Sequence, residues 1–417
     1  MARVLMLSLL YPPDNVSTAH LMGDICEDLR ALGHSVTVIT TTPHYNRDVA
    51  AERVQPLTAY WGRLVQVSSY RGIRVFHTWM PRKGASSVAR VAAWALFHSL
   101  SLVVGGVAVG RIDVLITPSP PLTMGLAAWL LGRLKRAPFI YSVLELHPDI
   151  AISLGLVTRP PLIKFLYGLE RFVYARAARL TVIADAMYTR VLAKGVPAAK
   201  VTLVPNFVDT SVPLAEPRPN AFSRAHGLDD AFVVCYAGNV GPAQGLEALL
   251  DAAVLLRDVP QVRIVIVGGG IVWQAFADRI AADRLDNVLL LPHQPLDAVP
   301  AIYGASDVCV VAQSPTTTSD AVPSKVYRIM GAAKPVLAMT VPTSDLAALV
   351  GDSGCGIVVP ADDPTKIAAA IRQALNEPAR RAIMGTAGRA HVEAHYSRRA
   401  VTARYNTLVN ELTTERS

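Results

Sequence analysis

The segment "SDAVPSKVYRIMGAAKPVLA", Ser319 to Ala338, gathers an acid, a proline, a serine and a lysine just ahead of a short helical stretch and an apolar run. Ser324 suits a helix N-cap, and Lys325 would fall in the first helical turn. Free backbone N–H groups and an ammonium would then converge on one anionic group, as a diphosphate clamp does. A lysine at that end opposes the helix dipole, which argues that it is kept there for a ligand. Asp320, on the loop before Pro323, is placed to accept hydrogen bonds from sugar hydroxyls while Lys325 holds phosphate. Together these residues suit a nucleotide sugar. The plain alternative is a capped surface helix carrying a solvated lysine and aspartate.

Two glycine-rich loops offer related chemistry. In "YAGNVGPAQGL", the run Gly238, Asn239, Val240 and Gly241, with Gln244 and Gly245 behind it, lets backbone approach a ligand and presents N–H groups to phosphate. A tight β-α turn would use the same glycines. "VGGGIVW", with Gly268, Gly269 and Gly270, lacks the spacing of a dinucleotide fingerprint, and none follows the first strand of either half, so a dehydrogenase is disfavoured. His293 and Gln294 in "LPHQP" are candidates to frame a base. In the first half, "ELHPD" sets Glu145, His147 and Asp149 after an apolar strand, where one of them would orient or deprotonate an acceptor hydroxyl. Asp14 and Asn15 in "YPPDN" are comparable acceptor-side candidates, whereas His20, His44, His77 and His98 show no evident partners and read as solvated or core.

The elements that must position these loops alternate between strand and helix. "RVLMLSLL", a helix from about Ala19, Gly33 and "SVTVIT" form a β-α-β unit of buried parallel strands. "IRVFHTWM", "DVLITPS", "FIYSVLE", "LTVIA" and "KVTLVPN" complete this half, and a second series runs through "FVVCYAGNVG", "VRIVIVGGG", "VLLLP", "DVCVVA", "PVLAM" and "GIVV". The fold class is α/β, with two Rossmann-like parallel-sheet domains expected to face one another across a cleft. Residues 1–205 form the first domain, the proline-rich stretch 206–224 an interdomain connection, and 225–385 the second domain. Residues 386–417 read as helices expected to pack back toward the first domain. In such sheets ligands gather at the carboxyl ends of the strands, which is where the candidate loops fall.

Composition narrows the partners. A chain of 417 residues, 52% hydrophobic and 17% charged, is a large-cored globular protein and not a disordered one. Cys26, Cys235, Cys309 and Cys355 make no CxxC pair, which points to a reducing cytosol and to neither a zinc site nor a disulfide framework. The net charge of +8 suits an anionic partner, but no nucleic-acid-binding motif is present, so nucleic acid is not expected. The apolar start is short and leads into prolines, as a first buried strand would, unlike a leader with a cleavage site. The segment Val88 to Gly110, preceded by Arg82, Lys83 and Arg90, admits three readings. It is an interfacial helix with Trp94, Leu96 and Phe97 toward a membrane surface, a core helix, or a span. Arg133, Lys135 and Arg136 in "RLKRAP" end a helix or belong to the same membrane-facing surface.

"YPPDN" with the helix ending in "LGHSVTVIT", "YAGNVGPAQGL" and above all "PSKVYRIMGAAKPVLA" resemble the retaining glycosyltransferases of family 4, of GT-B architecture, over nearly the whole chain. "TPSPPLTMGLAAWLL" and "VLELHPDIAISLGL" resemble the subgroup that adds deoxy or N-acetylated sugars to polyprenyl-diphosphate-linked glycans of bacterial surface polysaccharides, such as O-antigen, capsule and colanic acid. The resemblance implies transfer from a nucleoside-diphosphate sugar, UDP before GDP, to a lipid-linked or soluble glycan, without metal or other cofactor. It implies retention by front-face attack, with the departing phosphate helping to take the acceptor proton, and a peripheral place on the cytoplasmic face of the membrane. Asp320 matches the first of the family's two acids, near the donor sugar, but Arg328 stands at the second, near the ribose, which leaves that contact open; an arginine there could also answer phosphate charge. The glycine loop carries Pro242 and Gln244 where many members have an arginine and a lysine, so Lys325 must hold more of the diphosphate. Asn15, Val16 and Ser17 replace the usual glycine pair of the first loop and imply a modified acceptor entrance. Two alternatives stay open: a GT-B epimerase, which needs acid and histidine catalysts in the donor pocket, and a non-catalytic nucleotide-sugar-binding partner in polysaccharide assembly.

Overall fold

The computed structural model describes residues 1–45, 48–81, 87–153, 155–315 and 322–415; Arg82, Lys83 and Asp320 lie outside them. The chain divides into two units, Met1–Asn206 with Val401–Ser417, and Phe207–Ala400.

The first unit is built on a nine-stranded sheet. Its strands are β1 (Arg3–Leu7), β2 (Ser35–Thr41), β3 (Thr58–Trp61), β4 (Val65–Tyr70), β5 (Ile73–Thr78), β6 (Val114–Pro118), β7 (Phe139–Val143), β8 (Arg179–Val182) and β9 (Val201–Leu203). They lie in the order β3-β4-β5-β2-β1-β6-β7-β8-β9. β1 is buried from Val4 to Leu7, so the amino-terminal apolar run is a core strand. β3 and β4 were not anticipated: they form an antiparallel ribbon on β5, turning at Gly62 (φ 60°) and Gly72 (φ 78°). "TAYW" is exposed throughout and "VQVSSY" buries only Val65 fully, so neither carries the hydrophobic run that marks the parallel strands. Helices on the sheet bury Leu29, Phe97, Leu131 and Val173, which exclude water from both faces.

The helix Ser87–Val107 is long and apolar enough to cross a membrane by length and composition alone. Ala93, Phe97, Ser101 and Val104 form its buried stripe, at helical spacing. Phe97, expected to face lipid, is therefore in the core, and Trp94 and Leu96 are half-buried. The outward apolar residues are Val91, Val103 and Val107, the last 76% exposed. Gly105 lets the neighbouring helix Thr123–Lys135 approach closely, since a Cβ there would lie 2.7 Å from Leu131.

The second unit carries six parallel strands: β10 (Phe232–Asn239), β11 (Val262–Gly269), β12 (Val288–Leu291), β13 (Val308–Ala312), β14 (Val336–Met339) and β15 (Gly356–Val359). The order β12-β11-β10-β13-β14-β15 reverses direction between β10 and β13, the switch point at which open sheets bind ligands. Of the stretch 206–224, read as a connection, all but its first residue belongs to this unit. Leu214 is buried in its core, the Arg218 guanidinium donates to Asp307 at 3.0 Å, and Asn220 caps the helix Ala221–Ala225. Prolines break the periodicity of this stretch without detaching it from the core. The tail is divided as well. The helix Pro378–His395 packs in the second unit, where a Cβ on Gly385 would lie 2.2 Å from the Ala333 carbonyl oxygen. The chain rejoins the first unit at Val401, where Tyr405 is buried and its hydroxyl shares a 3.0 Å hydrogen bond with that of Ser142.

Candidate functional site

The carboxyl ends of β10 and β11 run side by side, with Gly238 opposite Gly268 and Asn239 opposite Gly269. Gly238 has φ 147° and Gly268 φ 155°, and a Cβ on Gly268 would lie 1.8 Å from the Gly238 carbonyl oxygen. The two strands can close on each other only through glycine. "VGGGIVW", indecisive by itself, is thus the structural partner of "YAGNVGPAQGL". The Val240 N–H donates to the Gly269 carbonyl at 2.8 Å, and the Gly241 N–H to Gln244 Oε1 at 3.1 Å. These two amides, expected to meet phosphate, are engaged within the protein, by the neighbouring strand end and by the loop's own side chain. Gln244 Oε1, which also receives Asn239 Nδ2 at 3.1 Å, braces the loop. Gly245 (φ 60°) lies against Ser314 beyond β13, whose N–H donates to the Ala243 carbonyl at 2.9 Å.

Lys325 opens the helix Lys325–Gly331. Ser324 stands at the N-cap position, but its φ of −57° and ψ of −22° are helical and its side chain makes no capping hydrogen bond. The expected cap is absent because a capping side chain reaches back only from an extended backbone. Lys325 itself is folded inward. Its Nζ is buried, makes no hydrogen bond among the described residues, and sits 3.8 Å from the centre of the Tyr236 ring. A Cβ on Gly238 would lie 2.7 Å from that nitrogen, so glycine at 238 also makes room for the lysine. Burial brings its pKa down from 10.5 to about 7. Tyr236 is fully buried at the end of β10, and its hydroxyl donates to the Asn239 carbonyl at 2.6 Å. The sequence reading passed over Tyr236; its only signal was an aromatic among the aliphatic residues of "FVVCYAG".

His293, beyond β12, packs on the same rim: a Cβ on Gly269 would lie 3.0 Å from its Cδ2. Gln294 donates to the Pro292 carbonyl at 3.1 Å, Pro323 is half-buried and Arg328 is exposed. The structure therefore gathers Gly238, Gly268, Gly269, His293 and Lys325 at one end of one sheet. A buried ammonium without a hydrogen-bond acceptor is costly unless an anion completes it, so the chemistry of this end of the sheet suits an anion.

In the first unit the candidates separate into three groups. Asp14 is buried, and its carboxylate accepts from the N–H groups of His44 and Tyr45, each at 3.2 Å, tying the loop after β1 to the loop after β2. Asn15 Oδ1 meets His20 Nε2 at 2.9 Å. Glu145 is exposed and its Oε2 lies 3.1 Å from His147 Nε2. Asp149 stands apart from that pair, bound by Lys194 and Arg190 at 2.9 Å each and by the Tyr167 hydroxyl at 2.8 Å. Burial pushes its carboxyl up, but the hydrogen bonds from Lys194 and Tyr167 outweigh this and hold it below its ordinary value. Its oxygens are thus engaged by three side chains of the same unit. His77 and His98 are core histidines, which burial brings down to about 4 in both cases. Among the described residues, no group of three or more His, Cys, Asp or Glu side chains could hold a metal ion.

Residues 19–206 match the family described as glycosyl transferase 4-like domain, and residues 220–391 match glycosyl transferases group 1. The chain is 25% identical over 399 residues to the putative colanic acid biosynthesis glycosyl transferase WcaI of Escherichia coli (strain K12), covering 90% of this chain and 93% of that protein. It is 24% identical over 260 residues to the probable glycosyltransferase WbjE of Pseudomonas aeruginosa, covering 62% and 65%. Anabaena HepE, solved in complex with UDP, is similar with a TM-score of 0.72 at 14% identity, over 98% of this chain and all 100% of that one, a likeness of fold. With its two parallel-sheet units and both family matches, the chain is a glycosyltransferase of GT-B fold, made of a glycosyl transferase 4-like domain and a group 1 domain.

Proposed function

We propose that this glycosyltransferase moves a sugar from a UDP-sugar to a polyprenyl-diphosphate-linked glycan in the assembly of a bacterial surface polysaccharide, with retention of anomeric configuration. The observation that carries this reading is Lys325, whose buried ammonium, without a hydrogen bond among the described residues, lies beside Gly238 at the switch point of the second sheet. The WcaI relative, named for colanic acid biosynthesis, and the UDP bound by HepE support the substrate class.

In this reading Lys325 meets the diphosphate, replacing a missing hydrogen-bond acceptor with a charge-assisted bond. Asp320 holds hydroxyls of the donor sugar, and Arg328, exposed one turn into the helix, answers remaining phosphate charge. His293, packed on Gly269, frames the base. Glu145, paired with His147, orients the acceptor hydroxyl. As the anomeric C–O bond to the β-phosphate breaks, the acceptor oxygen bonds to the same carbon from the same face, and its proton passes to the departing phosphate oxygen. The charge gathering on that phosphate is stabilised by Lys325 in a site already built to receive it. No metal enters this scheme.

The enzyme works at the cytoplasmic face of the membrane, where its acceptor lies. The outward residues Val103 and Val107, with Leu130 and Leu134 on the neighbouring helix and the exposed Arg133 beside them, give the first unit an apolar and basic surface suited to anionic lipid.

The test is transfer of label. Sugar-labelled UDP donors are incubated with a polyprenyl-diphosphate-linked glycan extract and the wild-type or Lys325→Ala protein. Label entering the organic phase only with wild type is the expected result. UDP release without lipid label would replace the lipid acceptor by water or a soluble glycan. Intact donors throughout would favour the non-catalytic binding partner.

A further inference from the structure

Resting on the donor site just proposed, the geometry points to Tyr236 as a positioning residue that holds the Lys325 ammonium at the glycine loop through its ring face. Among the described residues no carboxylate hydrogen-bonds to the lysine. Its nitrogen is buried, without a hydrogen bond, and 3.8 Å from the centre of the Tyr236 ring. A carboxylate in that place would fix the lysine equally well but would satisfy its charge, leaving little for a substrate. The negative face of an aromatic ring stabilises a cation without donating a lone pair, so the hydrogen-bonding capacity of the ammonium stays available.

The ring is itself fixed. Tyr236 is fully buried, and its hydroxyl donates to the Asn239 carbonyl at 2.6 Å, which anchors the aromatic plane to the turn that carries Gly238. Gly238 completes the arrangement from above, since any Cβ there would lie 2.7 Å from the lysine nitrogen. Tyrosine, glycine and lysine thus form one unit. The ring sets where the ammonium rests, the glycine clears its path, and the hydroxyl keeps both in register with the loop.

The test separates the ring's electrostatics from its shape. Position 236 is occupied in turn by phenylalanine, 4-fluorophenylalanine and pentafluorophenylalanine, which fill nearly the same volume while draining the negative face. Binding of UDP to the full-length protein is measured by calorimetry. The dissociation constant should rise stepwise along the series, by about 3- to 30-fold from first to last. In a Lys325→Ala background the series should be flat, which a merely structural role for Tyr236 would not produce. A flat series with Lys325 present, or an equally steep one without it, would overturn the inference. The donor site on which it rests fails separately, if Lys325→Ala binds UDP as tightly as wild type or if wild type does not bind UDP.

Discussion

Replacing Lys325 by methionine should stabilise the ligand-free protein and abolish its response to UDP, two effects of opposite value from one substitution. Burial takes the lysine from 10.5 to about 7. Each unit corresponds to about 1.4 kcal/mol, so keeping the charged form in the folded protein costs up to about 5 kcal/mol at low pH. Methionine keeps an apolar chain of similar length over the Tyr236 ring and removes the charge. If relaxation halves the gain, melting of a unit of this size should rise by about 5 to 10 °C. The sign follows from proton binding: between about 7 and 10.5 the unfolded chain holds a proton that the folded one has lost, so wild-type stability rises with pH across that window. The advantage of the variant should be greatest below about pH 7 and close toward 10.5. Circular-dichroism melts of both proteins at about pH 6 and about pH 10, with and without UDP, read all of this. A variant that melts at or below wild type at about pH 6, or by the same offset at both values, would refute the buried-charge reasoning.

Gly268→Ala would set a Cβ 1.8 Å from the Gly238 carbonyl oxygen; urea unfolding should show a loss of about 3 kcal/mol or more, and the UDP-induced thermal shift should vanish with it. Asp149→Asn removes the carboxylate that Lys194 and Arg190 share and leaves Arg190 without its ion pair, so stability should fall by about 1 to 2 kcal/mol, whereas a direct acceptor ligand would raise acceptor KM in a fold of unchanged stability. The Asp149 contribution should also disappear as pH falls through its depressed carboxyl pKa, since the folded state then has to take up the proton it excludes. Val103→Glu combined with Val107→Glu should lower co-sedimentation with anionic vesicles by about tenfold without moving the melting temperature, because both residues face outward. Unchanged sedimentation would remove this face as the lipid contact.

Most of the parallel architecture was legible because its strands are aliphatic runs buried on both faces, as "VRIVIVGGG" and "DVCVVA" illustrate. β3 and β4 escaped because they are short, polar and at a sheet edge. The candidate donor residues were legible by type, since Lys325 ahead of an apolar run and two glycine loops after strands stand out in any reading. Their partners were not. Whether the Val240 amide meets phosphate or the Gly269 carbonyl depends on cross-strand register, and whether Gln244 reaches outward or back to Gly241 depends on a single turn. The contact between Lys325 and Tyr236 joins residues distant in sequence, and no local pattern encodes it. Phe97 and the outward valines Val103 and Val107 differ only by their position around one helix, which composition does not resolve.

The most direct measurement is calorimetric titration of the wild-type protein and of Lys325→Ala with UDP, GDP and ADP. One saturable site that prefers UDP is expected, with a loss of at least about tenfold in affinity without the lysine, the scale of one charge-assisted hydrogen bond. Equal affinity in the two proteins would contradict this expectation, because the buried ammonium at the glycine loop would then have no part in holding the donor.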